Sequence, residues 1–241
     1  GHLLHQLVGV VLAQFGGDGV EAIDPLLLLA PGLDVLANVQ GGIQLGLLLQ
    51  IAALPARLES QVFSSTGVDV MGLKNRSLRL LVVVSVALLK GVPESALHEV
   101  FEQRLRLNPG AKNLVDTCKA HGMKVLLVSG GFTFFADRVK ARLGMHEAHS
   151  NTLEVEGGLL TGRVLGDIVD GEAKKQHLLN LCARIGCTPS QAIAVGDGAN
   201  DLPMMGVAGL SVAYHAKPKV REHAMVAINE GGLDRVLTLM A

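Results

Sequence analysis

Apolar positions follow two different patterns along the chain, and the clearer one begins at Gly110. Residues Ala111–His121 have helical spacing, with Leu114, Val115 and Cys118 on one face and Gly122 placed to end the helix. The run Lys124–Val128 (KVLLV) is almost wholly apolar, as expected of a parallel strand covered on both faces, and should stop at Ser129-Gly130-Gly131. A second helix is predicted from about Thr133 to Leu143, closed by Gly144. Two short runs between Asn151 and Val164 flank Gly157-Gly158 and predict a β-hairpin. A third helix, from about Ala173 to Ile185, leads to a strand at Ala192–Val195 that ends in a polar loop, Gly196–Asp201 (GDGAND). A short strand at Leu210–Ala213 and a closing helix at Leu233–Met240 complete the series. Strands alternating with helices imply right-handed crossovers, hence an α/β fold with a doubly wound, mostly parallel sheet. In such sheets ligands collect at the carboxyl ends of strands, where both the SGG and the GDGAND loops fall.

The first 85 residues lack this order. They read as short runs, such as Leu26–Leu29 and Leu47–Leu49, without a sustained period, and Pro25, Pro31 and Pro55 interrupt any long helix. Charge shows the same divide: Arg57 is the sole basic residue before Lys74, whereas beyond Val86 lysine and arginine recur every few residues, as solvated helix faces require. We therefore read 1–85 as an unassigned N-terminal segment and 86–241 as the organised core.

Composition narrows the class. With 49% hydrophobic residues, 29 glycines and no tryptophan, the 241-residue chain should bury a substantial core. A net charge of −1 supplies no broad basic face for a nucleic-acid backbone. The longest apolar stretch, Leu80–Leu89, is about half of what a bilayer crossing needs. No basic-then-apolar leader opens the chain, which starts at Gly1, so the expectation is a processed or incomplete N-terminus without a secretory signal. Cys118, Cys182 and Cys187 are odd in number and lack metal-ligand spacing, which suits reduced thiols in a cytoplasmic protein.

Candidate chemistry gathers in three places. The GDGAND loop sets Asp197, Asn200 and Asp201 at a strand mouth, and hard oxygen ligands of this kind suit Mg²⁺; a polar turn that caps the next helix would use the same residues. Ser129, Gly130 and Gly131 could cradle a phosphoryl oxygen with a hydroxyl and backbone N–H groups, or form a plain strand-to-helix turn. Lys174, near a helix start, could neutralise phosphoryl charge or be a solvated surface cation. The nine histidines include no His-x-x-x-His pair, so zinc is not implied. His215 reads as a satisfied surface or core residue, and Met204 and Met205 as core packing.

Taken together, Val128–Phe132 (VSGGF), Asp170–Lys174 (DGEAK) and Ala194–Met204 (AVGDGANDLPM) resemble the second, third and fourth motifs of phosphoserine phosphatases in the haloacid dehalogenase superfamily. Leu160–Val164 (LTGRV), His215–Pro218 (HAKP) and Val220–Glu222 (VRE) match the usual text of that family, and the similarity is nearly continuous from Val86 to Ala241. The resemblance implies a Mg²⁺-dependent phosphomonoesterase acting through an aspartyl-phosphate, with L-phosphoserine as substrate in serine biosynthesis. It also implies that Ser129, Gly130 and Gly131 bind the phosphoryl group, that Lys174 balances its charge and holds the nucleophile, that Asp197 ligates the metal, and that Asn200 and Asp201 order the shell around both, with Ser129, Lys174 and Asp201 as the catalytic residues. Related enzymes are often homodimers.

The family's first motif, Asp-x-Asp, supplies the nucleophile and the acid/base group, two roles that covalent phosphoryl transfer requires. It occurs nowhere in this chain. Counting back from Val86–Lys90 (VALLK) puts the nucleophile near Gln40. Asp34 is near the expected distance but has Leu36 at the second acidic position, and Asp69 leaves too little chain for the helical cap. Ser85 stands where the family has an arginine, and the cap's substrate-reading acidic residue has no counterpart. Loss of motif, composition and periodicity at one point suggests that 1–85 derives from a shifted frame or a rearranged gene fragment. The function that follows is either the phosphatase or a protein that binds phosphate or metal without turnover. A dinucleotide-binding role is disfavoured because neither glycine cluster has Gly-x-Gly-x-x-Gly spacing.

Overall fold

A computed structural model describes residues 8–12, 82–83 and 86–240. These residues divide into two compact units: the first takes in residues 8–12, 106–151 and 168–240, the second residues 82–83, 86–105 and 152–167.

The first unit is built on a parallel sheet. Strand β1 is Val8–Leu12. After helix α1 (Ser95–Gln103) of the second unit come α2 (Ala111–Ala120), β2 (Leu126–Phe132), α3 (Thr133–Leu143), β3 (Glu147–Glu156), β4 (Leu159–Leu165) and α4 (Gly171–Ile185). The chain ends with β5 (Ala192–Gly196), the short α5 (Leu202–Met205), β6 (Leu210–Tyr214), α6 (Pro218–His223), β7 (Val226–Ile228) and a 3₁₀ segment, Leu233–Leu239. In the first unit the strand order is β3-β2-β1-β5-β6-β7, parallel throughout, and in the second unit the far part of β3, from Thr152, pairs antiparallel with β4. This is the doubly wound α/β sheet expected from the alternation of runs. All five residues of β5 are buried, which accounts for its continuous apolar text.

Packing follows from the same periodicity. Leu178, Leu181 and Cys182, on one face of α4, lie in a core with Leu126 and Val128 of β2, Ala192 and Ala194 of β5, and Met204 and Met205 of α5. The two methionines are 0% and 2% exposed, so they pack as read from the sequence. Helix α3 ends where expected, with Gly144 as a left-handed C-cap at φ 66°.

Several elements differ from their sequence expectation. Strand β1 comes from the segment in which no element is predicted, yet it lies between β2 and β5. Its signal is the apolar run Leu7–Ala13 (LVGVVLA), too short to separate from neighbouring apolar text by period alone. Strand β2 does not stop at Ser129 but continues to Phe132, because the backbone stays extended through a register break between Val128 and Phe132. The third helix begins at Gly171, two residues early, because Asp170 caps it by accepting from Ala173 N at 3.0 Å. The closing helix is 3₁₀, not α. Helices α1 and α6 and strand β7 are not foreseen in the sequence.

In the second unit, Val86, Leu89, Val92, Leu97 and, on β4, Leu160 are buried. The turn at Gly157 and Gly158 has φ of 58° and 77°, and a two-residue hairpin turn with both φ positive favours glycine. Backbone bonds from Gly91 N to Leu160 O and from Leu160 N to Val92 O, both 2.8 Å, attach Gly91–Val92 to the hairpin.

Candidate functional site

The site lies in the first unit, at the carboxyl ends of β2 and β5 and the N-terminus of α4. Burial on both faces commits the apolar residues of these parallel strands to the core. The residues where the β2–β3 pairing breaks, and those just past β5, are therefore the ones able to present polar groups.

Asp201 organises the β5 end. It is 1% exposed, and its Oδ1 accepts a hydrogen bond from Lys174 Nζ at 2.7 Å, while Oδ2 accepts from the backbone N–H groups of Asp197 and Gly198, each at 3.1 Å. Lys174 is 3% exposed. A buried lysine needs a partnered anion, since desolvation of an isolated ammonium is far more costly than the pair. Gly196 makes the arrangement sterically feasible: a Cβ there would lie 2.5 Å from Asp201 Cβ. Asp201 thus ties the lysine of one segment to the loop carrying Asp197, a bracing role that leaves Asp197 as the loop's candidate metal carboxylate.

Ser129 is buried inside β2, in the stretch where the pairing with β3 breaks, and its Oγ accepts from Gly131 N at 3.0 Å. Because that oxygen is engaged as an acceptor, the hydroxyl keeps its own hydrogen for a further acceptor. Gly130 lies beside the third segment: a Cβ built on it would sit 3.7 Å from Val169 O and 3.9 Å from Asn200 Nδ2. Asn200 also meets the start of α4, where a Cβ on Gly171 would come within 2.9 Å of Asn200 O. The residues singled out in the three motifs are thus connected: Lys174 to Asp201 directly, and Gly130 to Asn200 by proximity.

One residue of the site is not singled out by the sequence. Asn151, 1% exposed, donates from Nδ2 to Gly130 O at 2.7 Å, and its Oδ1 accepts from Val169 N at 2.8 Å. In the sequence it reads only as the start of a hairpin run, because its partners lie 21 and 18 residues away.

A divalent cation can be tested against these residues. Among the described residues, no group of three or more His, Cys, Asp and Glu side chains forms a metal cage. Mg²⁺ asks for less, one or two carboxylates with phosphate and water oxygens completing its shell. Asp197, with the amide oxygen of Asn200 nearby in sequence, meets that minimum. Gln40, Asp34, Asp69 and Ser85 lie outside the described residues. His215 is exposed, adopts a φ of 47°, and has Nε2 3.0 Å from Gly231 O, so it serves the β6 corner.

Away from the site, burial pushes the Cys118 thiol up to about 11 and the Cys182 thiol up to about 12, and all three cysteines are free thiols. The side of α4 that faces β3 stacks His177 on His149, with ring centroids 4.0 Å apart. Glu147 takes hydrogen bonds from His149 and Arg184. Among the described residues no helix is long and apolar enough to cross a membrane.

Comparison with known proteins agrees with this architecture. Residues 52–206 match the family model of haloacid dehalogenase-like hydrolases. A phosphoserine phosphatase of Polaromonas sp. (strain JS666) is 65% identical over 159 residues, 64% of this chain and 67% of that protein. One of Vibrio cholerae is 43% identical over 216 residues, 89% of this chain and 64% of its own length. The crystal structure of a probable phosphoserine phosphatase from Vibrio cholerae, in unliganded form, superposes with a TM-score of 0.71 at 35% identity, covering 98% of this chain and 65% of that one. The chain thus spans about two thirds of the length of these relatives.

Proposed function

The chain belongs to the haloacid dehalogenase-like hydrolases, and from that premise we propose that its site is built for a Mg²⁺-dependent phosphomonoesterase whose substrate is L-phosphoserine. The observation that carries this reading is the buried Lys174–Asp201 pair at 2.7 Å, set at the end of β5 beside Asp197. An ammonium held that way lowers the cost of bringing a phosphoryl dianion to the strand ends. The names of the relatives supply the substrate. In this reading Ser129 donates its hydroxyl hydrogen to a phosphoryl oxygen, and Gly130 and Gly131 leave room for the group. Lys174 balances its charge, Asp197 holds the metal, and Asn200 and Asp201 keep the loop in register. When bound, Mg²⁺ would neutralise phosphoryl charge and fix the orientation of the group. A place in the cytoplasm, a role in serine formation and a homodimeric state belong to the same proposal, the first supported by the three free thiols.

A second reading has its own observation. An aspartyl-phosphate requires a carboxylate nucleophile, and no Asp-x-Asp is present in the 241 residues. The residues that follow β1 in sequence, Ala13, Gln14 and Phe15, include no acid. Removing a nucleophile from a group that acts as a unit abolishes nearly all of the rate. Phosphate and metal binding without turnover is therefore the alternative.

Release of phosphate from phosphoserine and from p-nitrophenyl phosphate, with and without Mg²⁺, separates the two. Metal-dependent turnover that vanishes in Asp197→Ala is the expected result for the enzyme. Binding of inorganic phosphate without any release supports the second reading, and neither binding nor release overturns both.

A further inference from the structure

We infer that Asn151 is a positioning residue that fixes the phosphate-binding loop, an assignment that rests on the phosphate-site reading above. Its two hydrogen bonds run in opposite senses: Nδ2 donates to Gly130 O at 2.7 Å and Oδ1 accepts from Val169 N at 2.8 Å. With only 1% of its surface exposed, the amide has no solvent to replace either bond.

The first bond sets the direction of a peptide plane. The Gly130 carbonyl and the Gly131 N–H belong to one planar unit, and among the described residues every peptide bond is trans, so the two groups point opposite ways. Holding the carbonyl toward Asn151 turns the Gly131 N–H toward the Ser129 side chain, where it donates to Oγ at 3.0 Å. That bond in turn occupies a lone pair of Oγ and directs the hydroxyl hydrogen elsewhere. Glycines place little restriction on their own backbone dihedrals, so without Asn151 this peptide could rotate and take the Ser129 hydroxyl orientation with it.

The second bond reaches the lysine. Val169 precedes Asp170, the residue that caps α4 by accepting from Ala173 N, and Lys174 lies on the first turns of that helix. One buried amide therefore clamps both the serine loop and the segment leading into the lysine helix to β3. Asn151 touches no reacting atom in this arrangement; it acts through Ser129 and Gly131.

Calorimetric titration of the full chain with inorganic phosphate in Mg²⁺ tests the assignment, using Ser129→Ala, Asn151→Leu and the double variant. Asn151→Leu is neutral and similar in shape, so it removes both bonds without adding charge. Asn151→Leu is expected to weaken phosphate about tenfold when Ser129 is present and less than about twofold when Ser129 is already alanine, since residues in one network are non-additive. Equal losses in both backgrounds, or unchanged affinity alongside a lowered melting temperature, would reduce Asn151 to a structural part and overturn the inference. If the unsubstituted chain binds no phosphate, or Ser129→Ala binds it equally well, the phosphate-site reading itself fails and takes the inference with it. A variant that does not fold is bypassed by a measurement on the natural chain. Linkage is reciprocal, so phosphate must strengthen the Asn151–Gly130 bond if that bond strengthens phosphate. Side-chain Nδ2 hydrogens of Asn151 are expected to exchange more slowly with solvent at saturating phosphate, and an unchanged rate would sink the proposal.

Discussion

Lys174 and Asp201 concentrate most of the site's electrostatics in a single contact. Both side chains are nearly inaccessible, and Asp201 also accepts two backbone N–H bonds, so its charge is matched on both oxygens. Replacing one member leaves the other buried without its partner, the costly case for a buried pair. Lys174→Met is expected to lower the unfolding free energy by about 3–5 kcal/mol, measured by urea denaturation. A loss below about 1 kcal/mol, the range of exposed pairs, would mean that water reaches the site. The identities of these two residues were legible in their motifs. That they bond to each other was not, because a distance between residues 27 positions apart is a product of the fold.

Helix α4 is the element that joins site and core. Its N-terminal turns carry Lys174, its apolar face carries Leu178, Leu181 and Cys182 into the interior, and its remaining side stacks His177 on His149 of β3. Burial pushes the His177 imidazole below its ordinary value of 6.5, and His149 adds to that while Glu147 opposes it. His146, which accepts from Val125 N through Nδ1 at 3.0 Å, is also lowered, by burial and then by Lys124 and Lys119, with Glu147 opposing. Groups with a depressed histidine pKa bind fewer protons folded than unfolded. Their contribution is complete above about pH 6.5, diminishes below it, and is lost as the pH falls through the lowered folded-state value. Burial raises Glu147, but hydrogen bonds from Arg184 and His149 outweigh it and hold the carboxyl below 4.5, so its contribution disappears only at lower pH. Stability should therefore decline as the pH falls below about 6.5. His177→Phe, which keeps a stacking ring but cannot titrate, is expected to flatten that decline in urea titrations across the range. Coincident pH profiles would remove His177 as a cause.

At the scale of the molecule, the two textures of the chain pose a question about its coding. Lysine, periodicity and motif text all change near Ser85, and we propose a displaced reading frame or a rearranged fragment as the source of the earlier residues. The family match opens at residue 52 and β1 lies at Val8–Leu12, so part of the segment meets the family or the sheet. Sequencing the coding DNA through the Ser85 codon is expected to reveal the displacement; an intact single frame in several isolates ends the proposal.

The sequence by itself determined the parallel α/β class, the bounds of α2, α3, β5 and β6 to within a residue, and the chemical types around the strand ends. Each of these depends on neighbours a few residues apart, through side-chain periodicity, capping and turn chemistry. Tertiary structure alone decided that Val8–Leu12 lies between β2 and β5, that Asp201 braces Lys174, and that Asn151 spans from Gly130 to Val169. Those outcomes depend on which distant segments the core brings together, and local pattern carries no record of a partner far along the chain.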